Sequence, residues 1–185
     1  ELLSILDRNK DKSLPYRDTF WDDQGWVSHW GKERIWGNLT MSEENPGSGN
    51  LTILLGASLW QNYTMKGRVK IIDGNSFSQI VRFKDENNYA WCDFGESGIT
   101  IAEKIGGQEK ILAEKSADFS LPLRSEAQVE TSVADEDIQC FLNGNLELQG
   151  KMNSASDFGG VGFYIWDDMP QNAAVEIKKV EVSPI

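Results

Sequence analysis

Apolar and polar residues alternate with a period of two along most of this chain, in short runs. Between Gly67 and Gly107 (GRVKIIDGNSFSQIVRFKDENNYAWCDFGESGITIAEKIGG), runs rich in Val, Ile, Phe, Tyr and Trp are separated by DGNS, KDENN, GESG and GG. Runs of that length, bounded by Gly, Asn, Asp and Ser, predict consecutive antiparallel strands. Alternation also assigns faces. Ala90, Cys92 and Phe94 share the core side, and Tyr89, Trp91 and Asp93 share the other. In Gln79–Phe83, Val81 and Phe83 go with the core, which leaves Ile80 and Arg82 outward. An outward face with Arg, Tyr, Trp and Asp carries more chemistry than solubility requires.

The same period continues on both sides. Trp26, Ser28 and Trp30 alternate, as do Ile35, Gly37, Leu39 and Met41, and Trp21, Trp26, Trp30 and Trp36 are expected to cover one end of the core or to line a groove. Asn143-Gly144 is a strong two-residue hairpin signal. In GGVGFYIWDD, Val161, Phe163 and Ile165 point inward and Tyr164 and Trp166 outward. The final run alternates with a one-residue slip at Lys178-Lys179, which predicts a bulge. No helix of normal length is needed after residue 20. Twelve or more short strands with hairpin turns predict an all-β fold, a two-sheet antiparallel jelly-roll β-sandwich over residues 16–185 as one domain.

Residues 1–15 differ in character. Asp7-x-Asn9-x-Asp11-x-Ser13, with Asp18 at the twelfth position, has the spacing of an EF-hand calcium loop, but Lys12 stands where the turn wants Gly and Asp18 replaces Glu. Two readings stand: a charged linker or short N-terminal helix, and a degenerate loop in which Asp7, Asn9, Asp11 and Asp18 hold one Ca2+.

Composition narrows the partners. A formal net charge of −11 repels nucleic acid and anionic membrane surfaces, and no apolar run reaches the roughly 18 residues needed to span a bilayer. Two cysteines, Cys92 and Cys140, are too few for a disulfide framework. Both fall on inward faces, as two buried free thiols or as one bridge. Seven tryptophans exceed what a core of this size needs, and their wide apolar faces with one N–H donor complement sugar rings.

The order of the Gly67–Asp73 strand, IVRFKDENNYAWCDF, ITIAEKIGG, DIQCFLNGNLEL, GGVGFYIWDD and AAVEIKKVEV resembles concanavalin A-like lectin/glucanase domains. It is most similar to the laminin-G-like and keto-disaccharide-hydrolase-like branch, over most of residues 16 to 183. The resemblance implies a concanavalin A-like jelly roll, a fold that hosts lectins, carbohydrate-binding modules, glycosidases and adhesion modules alike.

The sequence carries no recognisable catalytic pattern. Retaining glycanases of this fold carry alternating carboxylates on one strand. No such strand occurs here, and Glu103 and Asp93 sit in no such motif. One histidine, His29, and no serine elbow argue against a Ser-His-Asp site. The expectation is a non-catalytic carbohydrate-binding module of a larger extracytoplasmic protein, with Arg82, Tyr89, Trp91, Asp93, Tyr164 and Trp166 as the glycan platform. The competing expectations are a glycoside-processing enzyme of the same fold and a structural or adhesion module that binds no sugar.

Overall fold

The computed structural model describes residues 8–116, 124–153, 157–167 and 173–185. Its strands are β1 (Tyr16–Asp18), β2 (Trp26–Trp30), β3 (Lys32–Ile35), β4 (Leu39–Ser42), β5 (Asn50–Leu54), β6 (Tyr63–Asp73), β7 (Ser76–Asp85), β8 (Asn88–Gly95), β9 (Gly98–Ile105), β10 (Gln108–Ser116), β11 (Glu126–Ala134), β12 (Asp137–Leu142), β13 (Asn145–Lys151), β14 (Gly160–Trp166) and β15 (Ala174–Pro184). One sheet runs β13-β12-β11-β6-β15-β4-β3, with β1 paired to β15 as its eighth strand. The seven-stranded sheet runs β10-β9-β8-β7-β14-β5-β2. The predicted jelly-roll β-sandwich is therefore the fold.

Alternation drives the packing. Val69, Val129, Val175 and Val180 from one sheet meet Phe77, Val81, Phe94, Ile101 and Phe163 from the other in a single core. Each fully buried side chain of this kind contributes roughly 1.5–3 kcal/mol. Asn143 and Gly144 have φ of 47° and 84°, the signs a type I′ hairpin requires between β12 and β13. The slip at Lys178 is present as a register shift between Ile177 and Lys179.

Cys92 of β8 and Cys140 of β12 form a disulfide that joins the two sheets, so the free-thiol reading is corrected. Alternation put both sulfurs inward, but only the stacking of the sheets brings their Cα atoms to 5.9 Å, within bridging range.

Residues 8–15 are not a free linker. The Lys12 amide donates to Gly56 O at 2.7 Å, its Nζ donates to Leu55 O at 2.7 Å, and the Trp60 indole donates to Lys12 O at 2.8 Å. This segment straps the N-terminal side onto the sandwich.

Candidate functional site

The outward face of the seven-stranded sheet is ordered in rows by strand register. One row runs across the strands as Trp30, Leu51, Tyr164, Ser78, Asp93 and Thr100. Beside it, Ile80, Trp91, Ala102 and Ile111 form an apolar row. Trp166 and Ser76 flank the first row on its other side, and Tyr89, Lys104 and Glu109 lie beyond the apolar row. All of these except the fully buried Leu51, together with Lys110, line a groove of about 580 Å³, open to solvent. A polar centre flanked by aromatic rings results from period-two alternation in strands that happen to be neighbours.

The aromatic wall is supported from below. Leu51, Ile53, Ile80 and Phe83 form a second small apolar cluster, and Trp30, Tyr89, Trp91 and Tyr164 pack on it while keeping part of their surface open. Tyr89 and Trp91 have ring centroids 5.4 Å apart, and Trp30 meets Tyr164 edge-on at 6.4 Å. Trp166 is 38% exposed, and its indole donates to Gly47 O at 3.3 Å. The loop that provides this carbonyl is held by Glu43, only 2% exposed. Its carboxylate accepts from the amides of Gly49 at 2.8 Å, Ala173 at 3.0 Å, Gly47 at 3.3 Å and Asp167 at 3.4 Å.

Asp93 sits at the middle of the polar row. Its Oδ1 accepts hydrogen bonds from the hydroxyls of Ser76 at 2.6 Å and Ser78 at 2.7 Å, while Oδ2 has no partner among the described residues. Burial pushes this carboxyl above the ordinary Asp value, and the two serine bonds pull in the other direction without overcoming it. Burial likewise pushes the Tyr89 and Tyr164 phenols up to about 12, so both keep their O–H at neutral pH. Lys104 pairs with Glu109 at 3.5 Å and lies 5.5 Å above the Tyr89 ring.

Of the six platform residues read from the sequence, the fold gathers Tyr89, Trp91, Asp93, Tyr164 and Trp166 on this groove. Arg82 is not among them, and this is a correction. At Arg82 the backbone turns left-handed (φ 54°), and the β7–β8 register shifts between Val81 and Asp85. Arg82 is consequently 2% exposed: its Nη2 donates to Asn62 Oδ1 at 3.2 Å and Asp135 O at 3.3 Å, and its amide donates to the Tyr63 hydroxyl at 3.0 Å. The same bulge turns Phe83 from the expected core to the outer cluster. A side chain on Gly159 would collide with the Arg82 backbone, so the close approach depends on that glycine. Sequence reasoning left Trp30 undecided and missed Ser76, Ser78, Thr100, Lys104, Glu109 and Ile111; extending the alternation to neighbouring strands would have found the serines and Thr100.

The calcium reading is corrected at Asp18. Asp7 lies outside the described residues, as does the apolar run before it. Asp18 is a buried β1 residue whose Oδ2 accepts from Tyr16 and the Trp26 indole, each at 2.9 Å, and whose Oδ1 accepts from the Phe20 amide at 2.7 Å. An aromatic-lined strand end thus uses both oxygens that a calcium loop would need. Among the described residues, no group of three or more acidic, His or Cys side chains is placed to hold a metal. Glu103 faces away from the groove and accepts from the Asn153 amide at 2.9 Å and from Asn153 Nδ2 at 2.7 Å. His29 is a partner of Glu86 at 3.0 Å.

The tryptophans divide three ways. Trp26 is core, Trp30 reaches the groove, and Trp21 and Trp36 stand 81% and 77% exposed elsewhere.

With this architecture in view, comparison with solved structures defines the class. A Bacillus subtilis carbohydrate-binding module, CBM66, superposes with a TM-score of 0.71 at 16% identity, covering 86% of this chain and 95% of that one. Bacillus licheniformis β-glucanase gives a TM-score of 0.67 at 10% identity, covering 95% and 100%. The exoplasmic/lumenal domain of VIP36, in its form bound to Ca2+ and Man3GlcNAc, gives 0.66 at 8% identity, covering 89% and 86%. The chain has the concanavalin A-like lectin/glucanase fold. No family model and no curated protein sequence matches it.

Proposed function

We propose that this chain is a non-catalytic carbohydrate-binding module that holds a glycan in the groove of the seven-stranded sheet. The observation that carries the reading is the row structure: the Ser78–Asp93 row lies between Trp91 on one side and Trp166 with Ser76 on the other, so apolar ring faces and hydroxyl-reading groups alternate at side-chain spacing. Sugars present that combination, C–H faces rimmed by hydroxyls. The fold neighbours include a carbohydrate-binding module and the VIP36 exoplasmic/lumenal domain in a Man3GlcNAc-bound form, which supports the same reading.

One observation favours catalysis instead: Asp93 has a raised pKa, and Glu109 lines the same groove. Register argues against their acting as a pair. Asp93 and Tyr89 are four residues apart on β8, and Tyr89 is two strands from Glu109. At about 3.4 Å per residue and 4.8 Å per strand, the Cα atoms are about 17 Å apart. Glycosidase carboxyls stand about 5–5.5 Å apart for retention or about 6.5–9.5 Å for inversion. The β-glucanase resemblance is one of fold.

The cross-sheet disulfide supports an extracytoplasmic location, since buried structural bridges persist in oxidising compartments. A glycan array on the purified chain, followed by calorimetry of the best ligand with wild type and Trp166→Ala, tests the reading. The expected result is saturable binding that weakens several-fold in the variant. Absence of binding across the array, or product release from any polysaccharide, overturns it.

A further inference from the structure

Hydrogen accounting at Asp93 restricts what the groove accepts. A serine hydroxyl carries one hydrogen. Ser76 and Ser78 both direct theirs to Asp93 Oδ1, at 2.6 and 2.7 Å. What they offer a ligand is therefore lone pairs only. Asp93 Oδ2 is a third acceptor, unpartnered among the described residues. With Asp93 ionised, the centre of the polar row is thus a cluster of three acceptor oxygens with no hydrogen left to donate.

No cation balances this cluster. Among the described residues, no Lys or Arg lies within ion-pair distance of Asp93. The two lysines of the groove are remote: Lys104 is held by Glu109 and is paired with Tyr89, four residues along β8, and Lys110 is two strands over through Glu103 and Ala90, so both Cα atoms are about 14 Å from that of Asp93. In its ionised form the Asp93 carboxylate is thus partly buried and uncompensated. A second negative charge placed there is repelled in a medium that screens poorly. A pair of hydroxyl groups supplies the missing hydrogens and offsets the desolvation of the charge.

We propose that the groove selects neutral sugars that present two adjacent free hydroxyls to Asp93 and its serines, and that the same three oxygens reject uronic acids and other anionic sugars. This rests on the groove being a glycan site. Asp93 is then the specificity-determining residue. Trp91 and Trp166 supply stacking that is indifferent to charge.

The experiment measures binding of the intact chain to neutral oligosaccharides (glucans, mannans, galactans, fructans) and to oligogalacturonate and alginate fragments, at low ionic strength. Wild type, Asp93→Asn and Trp166→Ala are compared, with melting temperatures recorded for each. Asn keeps the size of the side chain and an acceptor for the serines, yet its amide can donate to a carboxylate. The expected result is wild-type binding confined to neutral sugars. In Asp93→Asn, neutral affinity falls about tenfold to a hundredfold, the loss of a charge-assisted pair, and the neutral-to-acidic ratio falls with it. Preference of the wild type for acidic fragments overturns the inference. So does an Asp93→Asn chain with unchanged affinity and ratio, and if Trp166→Ala still weakens binding, the groove itself survives as the glycan site. If no glycan of either kind binds, the glycan reading and this inference fall together.

Discussion

The hydroxyl of Ser78 donates to Asp93 Oδ1 at 2.7 Å across the β7–β8 ladder, and the next residue inward on β8, Cys92, is bridged to the opposite sheet. The most polar point of the groove is therefore mounted on one of the most firmly tied points of the core. That arrangement favours a pre-organised site, in which little ordering remains to be done when a ligand arrives.

The carboxylate at this position should lower stability. Its folded pKa is raised, so the folded state binds a proton more readily than the unfolded chain, and stability falls as pH rises from the unfolded Asp value through the folded one. The neighbouring strands contribute only Ser76, Ser78, Thr100 and the neutral Tyr164 phenol, so nothing nearby reverses the sign. Asp93→Asn is expected to melt higher than wild type at pH 7, with the difference disappearing once pH drops below the unfolded Asp value. Calorimetric melting from pH 3 to 8 checks this, and a variant less stable at pH 7 contradicts it.

Trp91 and Trp166 should separate. Trp166 is partly exposed and rests on one backbone carbonyl, whereas Trp91 packs against Tyr89 and the second apolar cluster. Trp166→Ala is expected to lose about 1 kcal/mol or more of glycan binding with little change in melting temperature. Trp91→Ala should lose both binding and about 1–3 kcal/mol of stability. Titration calorimetry paired with thermal melts distinguishes the two.

Arg82 provides the opposite contrast. Replacement by Met leaves Asn62 and the Asp135 carbonyl short of a buried donor and should cost about 2–4 kcal/mol. Glycan affinity of the folded protein should not change, because the side chain is remote from the groove. Urea unfolding together with binding below the transition measures both effects. A loss of affinity at full folding would return Arg82 to the site.

Removing the Cys92–Cys140 bridge, by a double Ala substitution or by reductant, should destabilise the chain by about 2–5 kcal/mol. Denaturant midpoints with and without reductant show this directly. An unchanged midpoint in the Ala variant would mean that core packing alone holds the sheets in register.

Much of the architecture was legible because it is local. Period two placed Ala90, Cys92 and Phe94 inside and Tyr89, Trp91 and Asp93 outside, and the strand face follows from the pleat whatever else the chain does. Asn143-Gly144 specified its own turn for the same reason, since φ above zero at both positions is a property of those two residues. The groove was partly legible too, because Tyr164 and Trp166 had to leave the core if Val161, Phe163 and Ile165 entered it.

Where reading failed, a long-range pairing had intervened. The EF-hand spacing was genuine in sequence but lost Asp18 to Trp26, a residue outside the presumed loop.

By itself, then, the sequence determined the alternation, the turns and the all-β sandwich, because side-chain direction along a strand and turn geometry depend on a few adjacent residues. Only the tertiary structure decided that β14 lies beside β7, so that Trp166 faces Ser76 and Tyr164 faces Ser78 across from Asp93. It also decided that Cys92 meets Cys140 and that a bulge withdraws Arg82 from the groove. Strand order, register and bulges are settled by contacts between residues tens of positions apart, and the free energy that selects them comes from packing two sheets, which no local pattern contains.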